Sequence, residues 1–331
     1  MVVVGAQVIF RLSLCRRNAR AIAGVFFLCV ALGGCTHFIP QTAELRNQWP
    51  ADLPIQTEIA DVPFFPQLKY QCGPAALATA LAHAGVPVTP DELVSQVYIP
   101  ARKGSVAVEM LAAPRRYGMV SYALEPRLAD VLREVTAGVP VVVLQNYGSW
   151  FFRQWHYAVI VGYDSRSGNL VLRSGEKRDL TEHIALFEYT WKDSGRWAMV
   201  AVPPGRIPAT ADRPRFFNAI VAVERAGQPR AAAAAYEGFL ARWPDDLGAS
   251  VGLANARHAL GELDLAEAAL RRALEHHPDS VVVLNNLAQT LSDAGRSEEA
   301  LALIDRAGGG RPHQQAVSET RALILERLQR N

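Results

Sequence analysis

Residues 67–77 read QLKYQCGPAAL and contain Cys72, the one cysteine beyond the first 35 positions of the chain. Pro74 marks a helix start, because proline is tolerated in the first turn of a helix, and the pattern predicts a helix over 73–85. A helix N-terminus carries partial positive charge and stabilises a thiolate. The position therefore favours a reactive cysteine with a lowered pKa; an inert cysteine buried under a helix start is the alternative.

A reactive cysteine needs a base, and the chain has eight histidines. His156 opens the apolar stretch 155–163 (WHYAVIVGY), which predicts a strand, so its side chain is expected at a strand end beside a cleft. His83 lies eleven residues beyond Cys72 on the same predicted helix, about 16 Å along its axis, which is too far for contact. His183 remains a weaker candidate. His156 is thus the preferred partner, with a satisfied core histidine as the alternative.

The elements around these two residues predict an α+β domain over 62–202, with helices mostly preceding an antiparallel sheet. The predicted helices cover 73–85, 90–98, 105–117 and 127–137, and the predicted strands cover 139–146, 156–163 and 169–174. An aromatic run at 147–155 (YGSWFFRQW) precedes His156. It either lines a cleft for an apolar side chain or covers the end of the sheet.

A cysteine at a helix start, followed 84 residues later by a histidine at a strand start, is the order found in papain-like cysteine peptidases. The two segments QCGPAAL and WHYAVIVGYD are also similar to those of the bacteriocin-processing, double-glycine-leader peptidase family. The resemblance covers about 62–202. The resemblance implies that Cys72 is the nucleophile and His156 the general base and later acid. It also implies an oxyanion-hole glutamine, for which Gln67 is preferred and Gln71 is held in reserve.

The family places Asp or Asn on the next strand to orient the histidine. Asp164 lies at the far end of the strand that His156 opens, eight residues or roughly 26 Å away, and is excluded. A turn centred near 166 puts residues 174–177 opposite His156, where Ser174 offers a hydroxyl and Glu176 a carboxylate. Neither matches the family. A domain that binds peptides without cleaving them, acting as an adaptor, therefore stays as the alternative function.

Beyond residue 212 the sequence turns alanine-rich and repeats with a period of 34. Three sets of identical residues recur with this spacing: Gly227, Gly261 and Gly295; Pro244, Pro278 and Pro312; Ala232, Ala266 and Ala300. The pattern resembles the tetratricopeptide repeat, which implies an all-α solenoid over 213–331, with three repeats and a capping helix at 315–329. A Pro-rich linker at 203–212 precedes it.

The repeat resemblance places four polar residues of the first helices on a groove for a protein partner. They are Asn255, His258, Asn285 and Gln289. Ordinary solvated positions in an array that serves only as a spacer are the alternative.

The N-terminal residues 1–34 predict a signal peptide, because four arginines precede the 14-residue uncharged run 21–34. The run ends in Leu32-Gly33-Gly34-Cys35, which resembles the lipobox of bacterial lipoproteins. That resemblance implies cleavage before Cys35 and lipid attachment to it, palmitate included. Thr36 favours the outer membrane, facing the periplasm. An uncleaved anchor helix is the alternative, and residues 35–61 are predicted to form a tether.

The charge balance bears on partners and cofactors. The chain has 34 basic and 32 acidic residues, and loss of the four N-terminal arginines leaves 30 against 32. A charge near −2 argues against nucleic acid as a partner. No metal-ligand motif and no phosphate loop occurs, so no cofactor is expected. The sequence therefore predicts an exported, lipid-anchored cysteine peptidase that acts on a peptide or protein substrate.

Overall fold

The computed structural model of the 331-residue chain describes residues 39–67, 71–149, 151–308 and 313–330. The predicted signal peptide and Cys35 lie outside these ranges. Within them, no helix is both long enough and apolar enough to cross a membrane.

The N-terminal unit alternates helices and strands. Its helices are α1 (Pro40–Asn47), α2 (Cys72–His83), α3 (Pro90–Val97), α4 (Ala107–Arg116), α5 (Leu128–Thr136) and α6 (Ile184–Trp191). Its strands are β1 (Gln56–Glu58), β2 (Tyr98–Ile99), β3 (Gly104–Ser105), β4 (Val120–Ala123), β5 (Val141–Asn146), β6 (Trp155–Asp164), β7 (Asn169–Ser174), β8 (Lys177–His183) and β9 (Ala198–Val202).

One antiparallel sheet organises this unit, with strand order β4-β9-β5-β6-β7-β8 and with β1 paired to the end of β6. β5 and β6 are central and buried, and their register sets Gln145 opposite His156. β7 pairs with β6 in a register that sets Arg173 opposite Val159. Helix α2 packs against β6 and its neighbours, so the start of α2 lies near the start of β6.

The α+β class with an antiparallel sheet is confirmed, and the predicted elements lie within a few residues of the observed ones. β8 and β9 were not predicted. β9 (AMVAV) is a short, fully buried apolar run, which periodicity cannot distinguish from part of a buried helix. β8 (KRDLTEH) is an edge strand whose exposed positions carry charge, so it resembles a polar loop.

The tether expected over 35–61 is wrong for its described part. Pro40 occupies the first turn of α1 and does not mark extended chain, and Leu45 of that helix is buried. Further along, Leu53 is buried and β1 pairs with β6 between Gln56 and Asp164. This segment is therefore part of the folded unit.

The C-terminal unit is a run of antiparallel helix pairs. Its helices are α7 (Arg213–Arg225), α8 (Pro229–Arg242), α9 (Leu247–Ala259), α10 (Leu263–His276), α11 (Val281–Asp293), α12 (Ser297–Ala307) and α13 (Gln314–Arg330). Gly227, Gly261 and Gly295 adopt φ of 73°, 74° and 82° in the turns within each pair. Glycine adopts this left-handed conformation without steric cost, which explains why glycine recurs every 34 residues. The predicted all-α repeat solenoid is confirmed.

The segment 203–212 is docked on the first unit. The buried carboxylate of Glu134 accepts hydrogen bonds from the backbone N–H groups of Ala209 and Thr210 and from the Thr210 hydroxyl. The guanidinium of Arg206 donates to the carbonyl of Ala137. The Pro-rich linker is therefore held by specific hydrogen bonds.

Aromatic packing continues the core from the sheet into the first repeat. Phe216 on α7 contacts Tyr122 on β4, with ring centroids 6.0 Å apart, and stacks on Phe239 of α8 at 6.2 Å. Phe239 is fully buried where the later repeats have Ala273 and Ala307. The large residue fills the junction between the two units, which accounts for its departure from the repeat pattern.

Candidate active site

Cys72 is the first residue of α2, directly after the N-cap Gln71. The next residue must be glycine, because a Cβ built on Gly73 would lie 2.2 Å from Oγ of Ser105. Ser105 belongs to the short β2–β3 hairpin, which packs on the helix start. This hairpin therefore borders the cleft beside Cys72.

A cleft of about 800 Å³ runs past the start of α2 and the start of β6. Cys72 and His156 both line it, and so do Gln67, Ser105, Leu144 and Trp155. The sequence-predicted nucleophile and base therefore lie in one cavity, although 84 residues separate them in the chain.

Burial raises the pKa of the Cys72 thiol above its ordinary value. The backbone N–H groups of Tyr157, Gly73 and Cys72 itself oppose this rise by stabilising the thiolate. The expectation of a lowered pKa is wrong in direction. A half-buried sulfur loses more from desolvation than it gains from the N–H groups at the helix start. The thiol is therefore protonated at neutral pH.

The imidazole of His156 is held by a hydroxyl: its Nε2 lies 2.8 Å from Oγ of Ser174. Its ring also contacts that of Tyr147, with centroids 5.3 Å apart. Burial lowers the pKa of His156 to about 4, so the ring is neutral at neutral pH. In the tautomer that carries its proton on Nε2, the ring donates to Ser174 and keeps the lone pair of Nδ1 free.

A polar cluster of Gln145, Tyr147, Ser174, Glu182 and Thr190 lies behind this hydrogen bond. Its members are buried except for Tyr147, which is 41% exposed. Tyr147 Oη lies 3.4 Å from Oε2 of Glu182 and donates to Oε1 of Gln145 at 3.2 Å. Gln145 Nε2 donates to Oγ1 of Thr190 at 2.9 Å and to Oε2 of Glu182 at 3.1 Å. The cluster thus ends in a carboxylate.

Two pKa shifts describe the electrostatics of the polar cluster. Burial raises the pKa of Glu182, against the hydrogen bonds from Gln145 and Tyr147 that lower it. Burial, together with the nearby Glu182, raises the pKa of Tyr147 well above that of free tyrosine, whereas the facing Ser174 hydroxyl lowers it. Tyr147 therefore stays protonated and available as a donor between Ser174 and Glu182.

The two glutamines differ in position. Gln67 lines the cleft. Its Nε2 donates to the carbonyl of Tyr157 at 3.3 Å, and its backbone N–H donates to the carbonyl of Gly175 at 3.0 Å. Gln71 is the N-cap of α2 and is not among the cleft-lining residues that the structure describes. The geometry thus favours Gln67, the preferred one of the two.

The three residues considered for orienting His156 differ in their distance from its ring. Ser174 contacts the ring, whereas Glu176 is exposed in the turn that follows. Asp164 lies at the opposite end of β6, where its Oδ1 accepts from the backbone N–H of Arg166 at 2.9 Å. The structure therefore brings Ser174 to His156 and leaves the other two away from it.

The two other histidines considered as bases are engaged elsewhere. His83 Nε2 lies 3.2 Å from the carbonyl of Gly138. His183 caps α6, with Nδ1 accepting from the N–H of Ala185 at 3.2 Å. Neither lines the cleft.

Gln145, Tyr147 and Glu182, which form the polar cluster, were not predicted from the sequence as site residues. Glu182 lies on β8, which was not predicted, and shares a face with Leu180 two residues earlier. That alternation was the available signal. Of the aromatic run 147–155, Trp155 lines the cleft, while Phe151 and Phe152 are more than 80% exposed. Trp150 lies outside the described residues.

A groove of about 230 Å³ on the repeats contains three of the four predicted partner-binding residues, Asn255, His258 and Gln289. Asn286 takes the place expected for Asn285 and donates from Nδ2 to Oδ1 of Asn255 at 3.1 Å. Asn285, the fourth predicted position, is not among the described residues that line this groove.

Among the described residues, no group of three or more His, Cys, Asp or Glu side chains is arranged to hold a metal ion.

Comparison with protein families divides the chain in the same way as the structure. Residues 59–198 match the Peptidase_C39 like family. Residues 219–281 and 259–324 match two tetratricopeptide-repeat families. The comparison with curated proteins returned no match.

Three solved structures illustrate the similarity. A crystal structure from Bacillus anthracis, described as a C39-like peptidase, is 19% identical, has a TM-score of 0.36 and covers 44% of this chain and 97% of its own. A double glycine motif protease from an AMS/PCAT transporter, in complex with the leader peptide, is 22% identical at a TM-score of 0.34, covering 45% and 98%. A structure of MamA protein is 16% identical at a TM-score of 0.33, covering 36% and 64%.

Proposed function

The chain carries a Peptidase_C39-like domain followed by tetratricopeptide repeats, and we propose that it is a cysteine peptidase with Cys72 as nucleophile and His156 as general base. One observation carries the proposal: the two side chains line one cleft, and the hydrogen bond between His156 Nε2 and Ser174 leaves Nδ1 free to accept a proton.

The raised pKa of Cys72 and the lowered pKa of His156 favour a neutral thiol and a neutral imidazole before reaction. The Cys72 proton then passes to Nδ1 of His156 as the sulfur attacks the peptide carbonyl carbon. The imidazolium formed in this step returns the proton to the leaving amine as the C–N bond breaks. Water hydrolyses the resulting thioester through the same base.

Oxyanion stabilisation is proposed for the backbone N–H of Cys72 and for Nε2 of Gln67. One N–H of the Gln67 side-chain amide donates to the Tyr157 carbonyl, and the second N–H on the same nitrogen would donate to the oxyanion. A preorganised donor of this kind commonly contributes roughly 10²–10³ in rate. Ser174 orients the imidazole, and the carboxylate of Glu182 stabilises the imidazolium through Tyr147 and Ser174.

The proposal is tested by hydrolysis of a fluorogenic peptide library by the full chain. Cys72→Ala and Cys72→Ser should abolish cleavage, and a cysteine-directed probe should label Cys72 in the wild type more slowly when His156 is replaced by Ala. Arg166→Gln, an exposed change at the far end of β6, is the matched control. Absence of cleavage, together with labelling that does not depend on His156, would contradict the proposal.

The adaptor function is the second candidate, and one observation favours it: a hydroxyl, with neither a carboxylate nor an amide, contacts His156. In that case peptides bind the cleft of Cys72→Ala and of wild type equally and leave the wild type intact. Selective peptide binding without turnover would support the adaptor.

We further propose that the repeats bind a protein partner through the groove at Asn255, His258, Asn286 and Gln289, and that Cys35 carries a lipid anchor at the outer membrane. Alanine at the four groove positions should abolish partner capture and preserve peptide cleavage. Cys35→Ser should abolish lipid labelling and release the protein from the membrane fraction. Unchanged capture or unchanged labelling would contradict the respective part.

A further inference from the structure

The walls of the cleft carry three basic side chains. Arg102 and Lys103 lie on the β2–β3 hairpin, beside the start of α2, and Arg153 lies on the loop before β6. The cations therefore flank Cys72 and His156 from two different elements.

The charged side chains in the described lining of the cleft are all basic. No Asp or Glu is among the described residues that line it. The whole chain, by contrast, has 34 basic and 32 acidic residues, so the excess belongs to the cleft and not to a generally basic surface. A cavity lined by one sign of charge attracts ligands of the opposite sign.

A ring contact positions one of the cations at the cleft. The guanidinium of Arg153 lies over the ring of Trp155, 5.6 Å from its centroid, and Trp155 lines the cleft. This contact restricts where the charge of Arg153 can move. Arg102 ends a short 3₁₀ turn, Pro100–Arg102, and Lys103 follows it with a left-handed φ of 48°, so the backbone of the hairpin places both side chains at its tip.

We infer that the substrate is a peptide with acidic side chains on both sides of the scissile bond, bound by Arg102 and Lys103 on one wall and by Arg153 on the other. This inference rests on the proposed function, since the scissile bond is defined by Cys72. Leu144 and Val106, which line the same cleft, offer an apolar surface for a side chain between the acidic positions.

Exposed ion pairs are individually weak, so each cation should change kcat/KM for an acidic peptide by about two- to fivefold. Three together should separate an acidic peptide from a basic peptide of the same length by about tenfold or more. Salt screens such charges over about 8 Å at physiological ionic strength. The preference should therefore shrink as salt rises.

The test uses the full chain and three peptides that share one apolar core sequence and carry Glu, Gln or Lys on both sides of it. Cleavage is measured for wild type, Arg102→Gln and Arg153→Gln, with Arg166→Gln as control. Binding of the same peptides to the Cys72→Ala variant is measured by fluorescence anisotropy. Circular dichroism checks that each variant is folded.

We expect the Glu peptide to be cleaved and bound best, a loss of two- to fivefold for this peptide in Arg102→Gln and Arg153→Gln, and no loss in Arg166→Gln. Equal cleavage of all three peptides overturns the inference and leaves the proposed function intact. If no peptide is cleaved, the binding measurement decides: preference for the Glu peptide supports the inference, and equal binding overturns it.

Discussion

Strand β6 carries an ionisable side chain near each end, and the two ends differ in what surrounds it. At the first end, the ring of His156 contacts Ser174 and Tyr147 at the edge of the polar cluster. At the other end, the carboxylate of Asp164 accepts from the backbone N–H of Arg166 in an exposed turn. A carboxylate at the wrong end of a strand cannot do what a hydroxyl does on the neighbouring strand.

The two ends also differ in their cavities. The His156 end opens into the cleft of about 800 Å³ that contains Cys72. The Asp164 end borders a cavity of about 360 Å³ lined by Arg46, Trp49 and His183. Of these two cavities, the first contains the proposed nucleophile together with the proposed base. Substitutions at matched positions of the two ends therefore separate catalysis from general stability.

In this comparison of the two ends of β6, the largest effect is expected for His156→Ala, which removes the proposed base. kcat/KM for a cleaved peptide should fall by about 10²–10⁴. His183→Ala, at the Asp164 end, is the control and should stay within a few-fold of wild type. Similar losses in both variants would show that the two ends do not differ in function.

The acid limb of the pH profile should lie near pH 4. Because burial lowers the pKa of His156 to about 4, the ring stays neutral and able to accept a proton down to that pH. At pH 5, about thirtyfold more of the enzyme carries a neutral base than with an ordinary histidine pKa near 6.5. kcat/KM measured between pH 3.5 and 8 checks this, and a limb near 6.5 would contradict it.

Ser174→Ala should lower kcat/KM by about tenfold or more, because a hydrogen bond to a group that becomes charged contributes about 1.5–3 kcal/mol. Ser174→Asn supplies an amide instead and should retain more activity than Ser174→Ala. The comparison is made on KM and kcat separately, since loss of orientation should lower kcat more than it raises KM. Equal activity of wild type and Ser174→Ala would remove Ser174 from the site.

Glu182→Gln should lower kcat/KM near neutral pH by a few-fold, because the imidazolium of His156 loses a nearby negative charge. Burial raises the pKa of Glu182, so in the acid range of the profile this group is already protonated and the substitution should have little effect there. The ratio of the two kcat/KM values, measured between pH 3.5 and 8, should therefore approach one as the pH falls. A reduction that is the same at every pH would assign Glu182 to packing alone.

The smallest effect is expected for Asp164→Asn, which should leave kcat/KM within about twofold of wild type. Asp164 lies at the far end of β6, and its hydrogen bond to Arg166 stabilises the turn alone. A large loss here would show that the hairpin register is not the one described.

The sequence predicted the parts of the fold that carry strong local patterns. The α2 start at Cys72 and the β6 start at His156 are marked by proline chemistry and by a long apolar run, and both were placed within a residue. The polar cluster could not be predicted in the same way. Glu182 joins the cluster only through pairing with β7, and a seven-residue edge strand with charged exposed positions gives no clear periodic signal.

Electrostatic expectations failed for a related reason. A helix start predicts a lowered cysteine pKa, but desolvation depends on the β2–β3 hairpin that closes over Gly73, a contact between residues 32 positions apart. The tether was misplaced because Pro40 begins a helix that is stabilised by burial of Leu45. Tertiary contacts decided both outcomes.

The rings of Tyr122, Phe216 and Phe239 also determine how the repeats are joined to the sheet. Tyr122 on β4 meets Phe216 edge-on, Phe216 stacks on Phe239, and Glu134 binds the intervening segment by hydrogen bonds. β4 is paired with β9, and β9 with β5, whose last residues include Gln145 of the polar cluster. A continuous series of packed and paired elements therefore connects the first repeat with the strand opposite His156.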